Sequence, residues 1–173
     1  MNGFFLLLPF FLVRFFLLYL RNPKALPRAA HFASMRGMEK IAYYVYQLSN
    51  IAFLVALFFH TVPIDFSWKF YLGAVLYIAG LCLCAITVIN FSHPDRSGLN
   101  TNGIYKFSRN PMYVSYFVCF LGMVLLTQSL ILFGILLLFQ VSSHWIILAE
   151  ERWCMEKFGN DYRQYKEKVR RYF

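Results

Sequence analysis

The chain is 173 residues long, 60% hydrophobic and 20% aromatic, with 17 Lys and Arg against 8 Asp and Glu for a net charge of +9. A mean hydropathy of +0.52 is more apolar than a soluble domain of this size needs, so the composition is that of an integral membrane protein. The charge does not point to nucleic acid: the basic residues fall between apolar runs, leaving no polar fold to carry groove-reading elements, and they fit contact with anionic membrane lipids instead.

Phe4 to Leu20 is an apolar run broken by Arg14. It is a little short of the ~20 residues that cross a bilayer, and Arg14 costs insertion ~2.5–3.5 kcal/mol near the centre, less if it snorkels. With no basic stretch before it and no small-residue cleavage site closely after it, the run is not a signal peptide. It is expected to span, with an interfacial helix as the alternative. Arg21 to Lys40 is a basic loop broken by Pro23 and Pro27. Ile41 to Val62, Phe70 to Phe91, a short Met112 to Leu126 and Ser129 to Ala149 make the further spans, with a tight turn at Thr127-Gln128. The predicted fold is therefore an all-α bundle of five spans, or four if the first run is interfacial. Loops 21–40 and 92–111 and the tail 150–173 hold 15 of the 17 basic residues. The positive-inside rule puts all three in the cytoplasm, and with five spans the N-terminus lies outside.

Between the third and fourth spans lies Gly103-Ile-Tyr-Lys-Phe-Ser-Arg-Asn-Pro-Met-Tyr113. Asn110-Pro111 is a helix start, since asparagine is a favoured N-cap and proline suits the first helical position. A helix end with unpaired N–H groups beside Arg109 and Lys106 suits an anion. In the fifth span Gln140, His144 and Glu151 recur at i, i+4 and i+11, one polar stripe, while Glu150 points about 100° away. The stripe is expected to face a cavity, Glu151 to meet a ligand, and Glu150 to brace a basic group of the 92–111 loop or the tail. His144 is either functional, as polar residues inside spans often are, or hydrogen-bonded to a neighbouring helix. Gly159 can close the helix, and Tyr162 to Arg171 is expected as an amphipathic cytoplasmic helix along the head groups. Cys82, Cys84, Cys119 and Cys154 lack metal-site or redox spacing, so no metal is expected. The chain divides into an anchor region, 1–91, and a catalytic region, 92–173, within one membrane domain.

These residues resemble the membrane methyltransferases that include isoprenylcysteine carboxyl methyltransferase and the phospholipid N-methyltransferases. The shared pieces are Gly103-Ile-Tyr105, Arg109-Asn-Pro-Met-Tyr113, Glu150-Glu151, Phe158-Gly159, Tyr162 and Tyr165. Asn110 stands where the family has histidine, Ser115 where it has glycine, and Val169-Arg170-Arg171 where it has Val-Pro-Arg. A basic residue usual before the Glu pair is replaced by Ile146, Ile147 and Leu148. The resemblance implies S-adenosylmethionine bound at the cytoplasmic end of the last two spans, in a site that includes Gly103, Tyr105, Arg109, Asn110, Pro111, Tyr113, Glu150 and Glu151. Either glutamate would hold the ammonium or ribose, Arg109 and the Pro111 helix end the carboxylate, and Tyr105 and Tyr113 the adenine. It also implies a lipophilic or lipidated acceptor entering from the bilayer. Arg109 and His144 are the candidate catalytic residues, His144 as the base an amine acceptor needs. The expected reaction is carboxyl O-methylation; phospholipid-amine N-methylation is the alternative, followed by a sterol-type membrane reductase and a non-enzymatic scaffold or transporter subunit. The sequence leaves the oligomeric state open.

Overall fold

The computed structural model describes residues 1–172; Phe173, the end of the predicted catalytic region, lies outside them. Among the described residues the architecture is all-helical: α1 (Gly3–Arg21), α2 (Ala25–Ala29), α3 (Met38–Phe59), α4 (Trp68–Ser92), α5 (Pro111–Thr127), α6 (Leu130–Phe158) and α7 (Asn160–Lys168). Helices α1, α3, α4 and α6 are long and apolar enough to cross a membrane, and α5 is a shorter apolar helix of 17 residues. The outward faces carry Phe16, Leu48, Phe59, Tyr71, Ile78 and Leu138 exposed, as lipid-facing surface requires. The protein is integral to the membrane.

The first run is helical throughout, but Leu12–Leu17 is wound as a π-helix that contains Arg14. Arg14 neither snorkels nor faces lipid. It is 9% exposed, and its Nη2 donates to the Ala29 carbonyl at 3.1 Å.

Packing is set by two helix pairs, α4 on α5 and α3 on α6. The first pair is close because its contacts are glycines: a Cβ at Gly80 would overlap the Cys119 backbone, and one at Gly122 the Tyr77 backbone. With no hydrophobic effect to drive helices together in lipid, such close contact supplies the dispersion that holds them. An aromatic cluster joins the pairs, with the Phe120 ring 4.7 Å from Phe53, 5.1 Å from Phe10 and 5.5 Å from Phe139.

The hairpin between α5 and α6 turns at Gln128 in the left-handed conformation (φ +52). Ser129 Oγ accepts from Leu132 N–H and lies 2.8 Å from His60 Nε2, while Gln128 Nε2 donates to Asp65 at 2.7 Å, tying the turn to the loop after α3.

The helix that carries the fifth span continues past Ala149 to Phe158 and closes at Gly159, as expected, because residues 150–158 contain good helix formers and no breaker. Other boundaries shift, with the second span observed as Met38–Phe59. The last helix starts at Asn160 and ends at Lys168, so Val169 to Arg171 lie beyond it, free to reach back to the loop before α5.

Candidate active site

At the ends of α5 and α6 that meet α7, a cavity of about 1000 Å³ opens between α1, the segment around α2, α3, α5 and α6. Of the predicted site residues, Tyr105, Arg109, Asn110, Pro111, Tyr113, Glu150 and Glu151 line it. Gly103 does not, but it shapes the wall. Its φ of +56 and lack of a Cβ let the chain pass against Asn90, whose Oδ1 accepts from Ile104 N–H at 2.8 Å. That fixes the turn presenting Tyr105, whose carbonyl accepts from Tyr165 Oη at 2.7 Å. Burial raises the Tyr105, Tyr162 and Tyr165 hydroxyls well above the usual phenol pKa, so all three are neutral donors at physiological pH.

The two glutamates exchange the surroundings expected of them. Glu151, 6% exposed, accepts from Arg109 Nη2 at 2.9 Å and Nε at 3.2 Å, and from Arg171 Nε and Nη2 at 3.0 Å. It therefore makes the brace to loop and tail that the sequence reading gave to Glu150. The hydrogen bonds to Glu151 raise the pKa of Arg171. Glu150 accepts from Tyr113 Oη at 2.9 Å and forms no ion pair among the described residues.

The cause is helix phase. Glu150, Cys154 and Lys157 all line the cavity; at about 100° per residue they centre its face on the Glu150 side, with His144 roughly a third of a turn off it. His144 and Gln140 lie away from the cavity, and His144 Nδ1 is 2.7 Å from Tyr172 Oη. His144 thus meets the returning tail at Tyr172 rather than the neighbouring helix of its alternative reading, and Gln140 Oε1 is buried without a partner.

Arg109 is the clasp of the site. Besides its two bonds to Glu151, its Nη1 donates to the Lys166 and Val169 carbonyls, both at 2.9 Å, and its N–H to the Arg170 carbonyl. Asn110 occupies the N-cap position of α5 but does not cap it; its Nδ2 donates to the Arg171 carbonyl at 3.2 Å. The tail offers carbonyls that compete for the side chain, and the first-turn N–H groups of α5 lack that cap.

Sequence reasoning missed the other half of the cavity. Phe10, Phe11, Phe15, Leu54 and Phe120 make one end apolar, with Arg14, Tyr46, Asn50 and Tyr116 among them. A charge alone in an apolar run was the available signal for Arg14. Arg28 also lines the cavity, packed over the Phe91 ring at 4.6 Å, and its pKa is lowered by burial.

Comparison with known proteins places the chain among relatives. The chain is 36% identical over 89 residues to a protein-S-isoprenylcysteine O-methyltransferase of Schizosaccharomyces pombe, covering 46% of this chain and 37% of that protein. It is 36% identical over 69 residues to methanethiol S-methyltransferase 1 of Bradyrhizobium diazoefficiens, covering 38% of this chain and 22% of that one. An uncharacterized protein of Haemophilus influenzae is 39% identical over 62 residues, 35% of this chain and 98% of its own length. The matches thus span well under half the length of the two named enzymes. No solved structure matches. The phospholipid methyltransferase family model matches residues 68–161, which hold α4, α5, α6 and the turn between Gly103 and Tyr113, and on that match the chain belongs to the phospholipid methyltransferase family.

Proposed function

We propose that the protein transfers a methyl group from S-adenosylmethionine to a lipophilic acceptor drawn from the membrane, and that the reaction is an O-methylation of the carboxyl type. The observation that carries this is the division of one cavity into a tyrosine-lined end holding Glu150 and an apolar end lined by α1, α3 and α5. The residues fit the donor. Glu150 offers a carboxylate without a counter-cation, Asn100 Oδ1 lies buried without a partner, and Tyr105, Tyr113 and Phe158 supply aromatic faces. When bound, S-adenosylmethionine supplies a methyl group on a positively charged sulfur.

The chain's own residues then bind, orient and exclude water. Glu150 holds the ammonium or ribose hydroxyls, and the first-turn N–H groups of α5 that follow Pro111, those of Met112 and Tyr113, hold the carboxylate. Arg109 acts as a positioning residue, fixing the loop and the tail that wall the site. The reaction demands little more than donor and acceptor held in line in a dry pocket. An amine acceptor would also need a base, and the position of His144 off the cavity favours an acceptor that needs none.

The test is binding and transfer with the purified protein in detergent. Adenosylmethionine should bind and label a lipid fraction with its isotopic methyl, and NADPH should not bind. NADPH binding without adenosylmethionine binding would replace this reading by the reductase.

The donor is cytosolic, so the site must face the cytoplasm, as the basic loops already suggest. Cysteines placed at Arg36, Lys106 and Arg163 of a cysteine-free variant should be protected from an impermeant thiol reagent in intact cells, and one at Gln128 labelled. Labelling at Lys106 from outside would reverse the orientation and defeat a cytosolic donor site.

A further inference from the structure

Two buried donors in the apolar half of the cavity have nothing to donate to. Arg14 Nη1 and Tyr116 Oη are both without a hydrogen-bond partner, and both side chains line the cavity. Arg14 is 9% exposed and Tyr116 8%, with the guanidinium carbon 5.6 Å from the Tyr116 ring centre. Of the guanidinium nitrogens, Nη2 is the one engaged, by the Ala29 carbonyl. No carboxylate pairs with Arg14 among the described residues. A buried cation without a counter-charge costs several kcal/mol, so a residue kept in that state is poised for an anion. The backbone points the same way, because Arg14 sits in the π-helical turn of α1, a distortion concentrated at functional sites. Its place along α1, seven residues before Arg21, is about 10 Å inside the end of that helix. Phe10, Phe15 and Phe120 line the cavity around it, surface that suits an apolar chain rather than a free aqueous anion.

We infer that Arg14 and Tyr116 bind the anionic oxygen group, a carboxylate or a phosphate, of a membrane-borne amphiphile whose chain lies among Phe10, Phe15 and Phe120. This rests on the methyl-transfer reading for its consequence but not for its binding. The cavity then has two opposite electrostatic ends: Glu150 for the cationic donor, Arg14 for the anionic acceptor. Tyr113 and Tyr116, one helical turn apart on α5 with ring centres 6.4 Å apart, lie between them. With a carboxylate, one oxygen rests on Arg14 and the other is free. A lone pair of the free oxygen forms the new O–C bond, the electron pair of the broken S–C bond stays on sulfur, and no proton moves. The acceptor leaves as a neutral ester, which Arg14 no longer holds. The residue therefore selects substrate over product.

The experiment measures affinities of three probes for the full chain in detergent: S-farnesylcysteine with a free carboxylate, its carboxamide, and phosphatidylethanolamine. The carboxylate should bind at least tenfold more tightly than the carboxamide, and Arg14→Gln should bring that ratio close to one. Arg14→Lys should restore part of it, which a purely structural arginine would not predict, and Tyr116→Phe, which removes only the hydroxyl, should lower it by about threefold or more. If instead the ratio is near one in the wild type and the phospholipid loses tenfold or more in Arg14→Gln, the bound anion is a phosphate. A ratio unchanged in Tyr116→Phe and in whichever Arg14 variants fold, with phospholipid affinity also unchanged, overturns the inference. Because these are affinities, absence of adenosylmethionine binding would sink the methyltransferase reading and leave this one standing.

Discussion

Glu151→Gln should remove about 3–5 kcal/mol of stability, the scale for breaking a buried ion pair by deleting one partner. Glu151 receives four hydrogen bonds from two guanidinium groups, and the side chains of Glu151 and Arg109 are 6% and 7% exposed. A neutral amide leaves both cations behind, Arg109 with only the Lys166 and Val169 carbonyls for company. The tail from Val169 to Arg171 should detach, and with it the wall made by Tyr162 and Tyr165. Thermal unfolding in detergent should show the loss, and proteolysis should cut the variant near Val169. The comparison is Glu156→Gln, whose partner Arg36 is 67% exposed; it should change stability by under about 1 kcal/mol. Equal behaviour of the two variants would mean that the Glu151 cluster does not close the tail.

The second large effect separates binding from folding. Glu150→Gln keeps an oxygen for Tyr113 Oη but loses the negative charge, so the fold should tolerate it. Adenosylmethionine affinity should fall by about 1.5–3 kcal/mol, a ten- to hundredfold weakening, the scale of a hydrogen bond to a charged group. Calorimetry on the folded variant reads this directly. Wild-type affinity in Glu150→Gln would remove this carboxylate from the donor site.

That pair of expectations is the reverse of what the polar stripe on α6 implies, and the reason is physical. In a soluble helix, polar residues mark the solvent side and apolar ones the core. In a membrane helix both lipid and core are apolar, so Gln140 and His144 reveal only that something polar is near them. What lies near His144 is Tyr172, brought there by a tail whose path no local pattern encodes. The start of α5 at Pro111, the turn at Gln128 and the basic loops were legible because each depends on local backbone chemistry or on local composition. Arg14 was legible as an anomaly but not as a site. Its cavity exists only because the chain after Arg21 folds back through Ala29 and across the opening.

Helices α5 and α6 have 17 and 29 residues, about 25 and 43 Å at the helical rise, against a hydrocarbon thickness of ~30 Å. Joined at one end by a tight turn, they must finish at different heights at the other. The opposite end of the hairpin is therefore a step, with the first turn of α5 as the tread and the last turns of α6 as the riser. Glu150 and Tyr113 meet where the two join. A step of this kind places a phase boundary inside one molecule. A water-borne reactant can rest against the riser while a lipid-borne one stays at the level of the tread, and neither has to cross into the other's solvent for the two to touch.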